Sequence, residues 1–165
     1  MSQKTTIWLD CDPGLDDTLA IIYAAHHPNI NLIGVSTSPG NTTLANTTKN
    51  ALNILHNIGR SDLDVFAGSF SQIQGVVKTA EIVHGENGLG GVSVKESPKK
   101  ALTSNSFAEI YGLIMKQEGK VTWINTGSLT NLCLILMTFP DIKDKLAQII
   151  MMGGAIERGN ITPAA

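Results

Sequence analysis

Short apolar runs alternate along the chain with longer stretches in which apolar residues recur at helical spacing. Residues 5–10 read as a buried strand that ends in acid. A helix then runs to His27, capped by Asp16 or Asp17, with Leu19, Ile22 and Tyr23 on one face and Pro28 beyond its end. Ile30 to Ser36 is a second β-branched run, and Pro39-Gly40-Asn41 is a loop. Leu44 to Ile58 predicts a helix with Leu44, Ala51, Leu52 and Leu55 as its apolar stripe and Gly59 at its C-terminal end. Val65 to Ala67 is a third strand. Gly68 to Leu102 is the least regular stretch and holds a glycine-rich segment at 85–91. A helix from Ser104 or Ser106 to Glu118, a strand from Val121 to Asn125, a helix from Leu129 to Phe139 and a strand from Gln148 to Met152 complete the pattern.

Apolar strands alternating with amphipathic helices predict a three-layer α/β fold, a mainly parallel sheet flanked by helices. Ligands of such sheets sit beyond the carboxyl ends of the strands. The loops at 11–16, 37–43 and 126–128, with the one after Met152, leave those ends.

Composition narrows the picture. At 165 residues, 42% hydrophobic and 16% charged, the chain reads as one globular domain. A net charge of −2 without a basic cluster argues against nucleic acid as a partner. No apolar run is long enough for a membrane span, and Ile7-Trp8-Leu9 is too short for a signal-peptide core. Cys11 and Cys133 have no metal-type spacing, so a reduced, cytoplasmic setting is expected.

The densest chemistry lies in Asp10-Cys11-Asp12-Pro13-Gly14-Leu15-Asp16-Asp17. Carboxylates crowded this closely raise one another's pKa, and a divalent cation relieves the conflict. Oxygen donors suit Ca²⁺ or Mg²⁺. Pro13-Gly14 supplies a bend that lets Asp12 and Asp17 converge. The competing reading makes Asp16 a helix cap and Asp10 and Asp12 solvated loop residues. The helix N-terminus also favours ionised Asp16 and Asp17 without metal.

Asp10-x-Asp12-x-Gly14-x-Asp16-Asp17-x-x-Ala20 after a strand resembles the signature of the inosine-uridine-preferring nucleoside hydrolases. Further segments follow in the family's order: Gly40-Asn41, His84-Gly85-x-x-Gly88-Leu89, Thr126-Gly127-Ser128-Leu129-Thr130-Asn131, Met151-Met152-Gly153-Gly154 and Gly159-Asn160-x-Thr162-Pro163. The resemblance implies a Ca²⁺-dependent hydrolase that cleaves the N-glycosidic bond of ribonucleosides to base and ribose, in purine and pyrimidine salvage. It implies that Asp12 binds Ca²⁺ and acts as general base on water, that Asp17 binds Ca²⁺ through both carboxylate oxygens, and that Thr126 offers its main-chain carbonyl. Asp16, Asn41 and Asn160 would hold the ribose side, His84 and Met152 would lie near the ligand, and Asp10 would support the shell. Read on their own, Asn41 and Asn160 are equally good turn residues, His84 a solvated loop histidine and Met152 a core residue.

Family members are about twice as long, so residues 1–165 correspond to the N-terminal part of one nucleoside hydrolase domain, with the C-terminal half absent. That half carries further ribose ligands, a histidine for leaving-group protonation and a last aspartate ligand. The expectation is a fragment inactive alone, completed by that half, and a homo-oligomer when full-length. Two other readings stand beside this one. A haloacid dehalogenase-like phosphatase would use Asp10 as nucleophile and Asp12 as acid. A catalytically silent module would bind nucleoside or metal without turnover.

Overall fold

The structure, a computed structural model, describes residues 4–73, 76–157 and 159. Five strands form a single sheet: β1 (Thr5–Cys11), β2 (Ile30–Thr37), β3 (Val65–Ala67), β4 (Val121–Asn125) and β5 (Leu146–Met151). Their order is β3-β2-β1-β4-β5, and every pairing is parallel. Parallel neighbours need crossovers, which the helices supply. They are α1 (Leu15–His26), α2 (Leu44–Asn57), α3 (Glu81–His84), α4 (Ser106–Met115) and α5 (Thr130–Thr138).

The chain winds outward from β1 in both directions, so each face of the sheet carries its own core. Ile7, Leu9 and Cys11 of β1 pack with Ile21, Ala51, Ile54 and Leu55 of α1 and α2 on one face. Trp8 and Trp123 pack with Ile110, Ile114, Leu132 and Ile135 of α4 and α5 on the other. Trp8 is fully buried there, its ring 5.5 Å from that of Phe66 and 6.0 Å from that of Trp123. Burial on both faces explains why these strands read as continuous apolar runs instead of alternating ones.

Local chemistry sets the ends of the helices. Thr43 caps α2, its hydroxyl accepting the N–H of Asn46 at 3.3 Å. Gly59 takes φ +75° just past the C-cap Ile58, a conformation glycine adopts without a Cβ penalty. Neither Asp16 nor Asp17 is the N-cap of α1, which corrects the sequence expectation: Gly14 is, because the chain turns into the helix two residues earlier. Asp17 sits in the first turn, and its carboxylate reaches back to accept the Gly14 N–H at 3.2 Å. Helix α4 ends at Met115, short of Glu118, and β5 begins at Leu146. Pro140 ends the preceding helix as expected but also opens a 3₁₀ turn, Pro140–Lys145, that delivers the chain to β5.

The irregular stretch before α4 is anchored by the polar side of α2. Asn46 donates to the carbonyl of Glu86 at 3.1 Å, Asn50 to that of Asn87 at 2.8 Å and Asn57 to that of Lys95 at 2.8 Å. Asn53 accepts the Ser97 N–H at 2.9 Å. At the far edge of the sheet, Ile149, Ile150 and Met151 of β5 are 43%, 47% and 58% exposed. Each face of this edge strand therefore exposes apolar side chains, Ile149 and Met151 on one and Ile150 on the other. Among the described residues no helix is long and apolar enough to cross a membrane.

The packing around Trp8 yields a test. A Cβ on Gly34 would stand 2.5 Å from the Trp8 ring. Gly34→Ala should therefore overpack this core and cost about 1–3 kcal/mol. A urea midpoint equal to that of the parent chain would show that the ring can yield.

Candidate active site

Strands β1 and β4 are neighbours, yet the chain leaves them toward opposite faces, through α1 and α5. Such a divergence opens a crevice at the carboxyl ends of the strands. The acidic loop leaves β1 at this point. Backbone bonds hold the surrounding loops in place: Thr126 N–H donates to Asp10 O at 2.9 Å and Ser38 N–H to Cys11 O at 3.0 Å.

Asp12 and Asp17 face one another across this loop, and Asn41 ties them together. Its N–H donates to Asp12 Oδ2 at 2.8 Å. Its side-chain amide donates to the Asp12 carbonyl and to Asp17 Oδ2, each at 2.9 Å. Thr126 donates its hydroxyl to Asp17 Oδ1 at 2.6 Å. His84, at the end of α3, accepts the Leu15 N–H through Nδ1 at 3.3 Å. Space here is tight enough to require glycines. A Cβ on Gly14 would stand 2.6 Å from both Asn41 and His84, and one on Gly40 would stand 2.1 Å from Asp12 Oδ2.

Burial dominates the electrostatics. Burial first and the charge of Asp17 second push the Asp12 carboxyl up to about 8. Burial also raises Asp17, against the opposing hydrogen bonds of Thr126 and Gly14. Asp10 is fully buried and rises to about 7, although Ser36 and Asn131 both donate to it. None of the three ion pairs among the described residues includes a site aspartate. Among the described residues the pair therefore has no Lys or Arg to offset it.

Asp12, Asp17, Thr126, Asn41 and His84 thus come together. Asp16 lies at the rim, exposed, close enough for its charge to raise both Asp12 and Asp17. Met152 follows β5 with its side chain 62% exposed, its N–H donating to Asn125 O at 2.8 Å. Asn160 lies outside the described residues.

Asp10 is placed beneath the crevice, on the same face of β1 as Trp8. Trp8 Nε1 donates to Ser36 Oγ at 2.9 Å, and Ser36 Oγ donates to Asp10 Oδ1 at 2.5 Å. Asn131, buried at the start of α5, donates to Asp10 Oδ1 at 2.9 Å and to the Thr37 carbonyl at 3.1 Å. Its amide oxygen accepts the Ser69 N–H at 2.9 Å. Asn131 therefore joins the ends of β1, β2 and β3. Sequence reasoning assigned Ser36 and Asn131 no role. The one available signal was a polar residue opening an otherwise apolar helix. The phosphatase reading loses support here, because a nucleophile must reach its substrate and Asp10 has no exposed surface.

The arrangement can take up a proton at Asp12 and can hold a hard cation between two carboxylates. The donor set fits such an ion, since burial raises both carboxyls, the charge of Asp17 raises Asp12 as well, and both offer oxygen ligands. Among the described residues no group of three or more His, Cys, Asp or Glu side chains is placed to hold one.

The raised carboxyls make stability depend on pH. Each binds its proton more tightly folded than unfolded, so its contribution is complete below the unfolded carboxyl range near about 4. That contribution is lost as pH rises through about 7 for Asp10 and about 8 for Asp12. In metal-free buffer the urea midpoint should fall between about pH 5 and about pH 8. A midpoint that rose over this range would mean that the aspartates are charged and compensated in the fold.

Comparison with known proteins places this geometry. The family model described as inosine-uridine preferring nucleoside hydrolase matches residues 7–165. An uncharacterized protein of Schizosaccharomyces pombe is 42% identical over 164 residues, 99% of this chain and 49% of the relative. The pyrimidine-specific ribonucleoside hydrolase RihA of Shewanella woodyi is 43% identical over 160 residues, 96% of this chain and 51% of the relative. The solved structure of a purine-preferring ribonucleoside hydrolase from Gardnerella vaginalis superposes with a TM-score of 0.88 at 33% identity, over 96% of this chain and 52% of that one. The chain spans about half the length of the curated relatives it matches.

Proposed function

This chain belongs to the inosine-uridine preferring nucleoside hydrolase family, and from that premise we propose that it carries the metal- and ribose-holding part of a ribonucleoside hydrolase site. The whole protein would cleave the N-glycosidic bond to give a free base and ribose. One observation carries the reading: Asp12 and Asp17, buried and without a Lys or Arg partner among the described residues, are fixed by Asn41 and Thr126 at the switch point of the sheet.

Asp12, Asp17 and the main-chain carbonyl of Thr126 are the residues that would hold a calcium ion. Bound there, such an ion neutralises the carboxylate pair, orients a ribose diol and lowers the pKa of water. The chain's own residues do the rest. Asp12, oriented by the Asn41 N–H, takes a proton from the attacking water. Asp16 at the rim and Asn41 hold ribose hydroxyls, as we also propose for Asn160. His84, at the mouth beside Leu15, would meet the base, with Met152 on the far side of the crevice. Cleavage passes through a state with oxocarbenium character, by analogy with other glycosides. Leaving-group protonation would come from the other half of the domain, which would also cover the apolar edge of β5. The relatives include both a pyrimidine-specific and a purine-preferring enzyme.

The test is ribose release from inosine and from uridine by the full-length protein with millimolar-scale calcium. Asp12→Ala should lower kcat by about 10²-fold or more at unchanged metal occupancy, the scale of losing a general base. Asp17→Asn should weaken calcium binding in isothermal titration. Residues 1–165 alone should show negligible release. Binding of nucleoside without turnover would favour a silent module, and near-normal turnover in Asp12→Ala would move the base elsewhere.

A further inference from the structure

The last residue of β4, Asn125, lies between Asp10 of β1 and Met151 of β5 and is fully buried. An amide is costly to bury unless its polar atoms are matched, and here they are. Trp123, two residues earlier and so on the same face of the strand, donates its Nε1–H to Asn125 Oδ1 at 3.2 Å. With Oδ1 turned to the indole, Nδ2 faces the outgoing loop. It donates to the carbonyl of Gly127 at 2.7 Å and to that of Ser128 at 3.2 Å. A flipped amide would set Nδ2 against the indole N–H, so this orientation is the one that satisfies the group.

These bonds bear on the peptide unit between Thr126 and Gly127, which carries the Thr126 carbonyl. On its near side, Thr126 donates its N–H to Asp10 O at 2.9 Å and its hydroxyl to Asp17 Oδ1 at 2.6 Å. On its far side the chain continues through Gly127. Crowding keeps that position a glycine, since a Cβ there would stand 2.6 Å from Ser38 Oγ and 3.0 Å from Asp12 Oδ1. Glycine, however, leaves the adjoining peptide planes more freedom than any other residue. The Asn125 amide removes that freedom by holding the next two carbonyls.

We propose that Asn125 is a positioning residue for the cation site, fixing the direction of the Thr126 main-chain carbonyl through the carbonyls of Gly127 and Ser128. The inference rests on the reading of that carbonyl as a calcium ligand. A carboxylate can follow a cation by turning its side chain. A main-chain carbonyl cannot, so what it contributes depends on where the backbone aims it, and groups that aim a ligand matter accordingly.

Calcium titration of the full-length protein decides it. Asn125→Leu keeps the branching of the side chain and removes its polar atoms, whereas Asn125→Ala removes the bulk as well. Both should weaken calcium binding about tenfold or more, the range for partners that orient ligands. A purely packing role predicts parent-like calcium affinity in Asn125→Leu. Thermal unfolding of each variant in metal-free buffer separates loss of affinity from loss of stability. A crystal structure of the calcium-bound parent protein supplies a readout that needs no variant. It should place Thr126 O about 2.3–2.6 Å from the ion, with Asn125 Nδ2 still on the carbonyls of Gly127 and Ser128. The inference is overturned by parent-like affinity in Asn125→Leu, or by a bound structure in which Thr126 O stands away from the ion or Asn125 has released both carbonyls. A parent protein that binds no calcium overturns the calcium reading and this inference with it. One that binds calcium with the expected geometry and releases no ribose supports the inference and overturns the hydrolase reading alone.

Discussion

The carboxyl groups of Asp10, Asp12 and Asp17 are withdrawn from water at one end of a single sheet, and much of the local structure answers to that cost. Ionised carboxylates are expensive to bury unless something compensates them. Among the described residues no Lys or Arg pairs with any of the three. Compensation comes instead from donors fixed by the fold: two from Asn41, one from Thr126, one from the Gly14 backbone, and Ser36 and Asn131 beneath. These do not suffice to return the carboxyls to their ordinary range. The residual preference for positive charge is what a cation or a proton would satisfy.

Side chains that are not there matter as much as those that are. Gly14, Gly40 and Gly127 sit where a Cβ would collide with Asn41, His84, Asp12 or Ser38. Gly14 and Gly40 let Asn41 approach the carboxylates of Asp17 and Asp12, where a larger residue would hold it off. Below them, the chain Trp8–Ser36–Asp10–Asn131 links the aromatic core to the crevice floor. Packing around Trp8 and the aim of Asp10 are therefore parts of one arrangement.

The strands were legible because burial on both faces writes itself as apolar, β-branched runs, as in Ile30–Thr37. The face of α2 was legible from its apolar spacing, and the acidic loop from four aspartates within eight residues. On α1, by contrast, the expected Leu19, Ile22 and Tyr23 are exposed and Ile21, Ala24 and Ala25 are buried instead, because small residues let the helix lie close to the sheet. The four-residue helix Glu81–His84 was not legible, because it has no buried face to impose a period. The cap of α1 was misread because two acids in a first turn look like caps, whereas Gly14 holds the position and Asp17 serves it from within the helix. Ser36 and Asn131 stayed silent for a different reason. Their partner Asp10 lies 26 and 121 residues away, and a single polar residue does not announce a partner at that distance.

The asparagines of α2 have a consequence for how this protein can change over generations. Asn46, Asn50 and Asn57 grip the main-chain carbonyls of Glu86, Asn87 and Lys95, and Asn53 takes the main-chain N–H of Ser97. Such contacts are blind to which side chains the loop carries. Natural variation can therefore rewrite the loop beside His84, one residue at a time, without releasing it from the body of the domain. The freedom is one-sided, since each asparagine serves a fixed backbone atom and has few acceptable replacements. Diversification of the surface near the mouth and constancy along one side of a helix would then be two expressions of the same attachment.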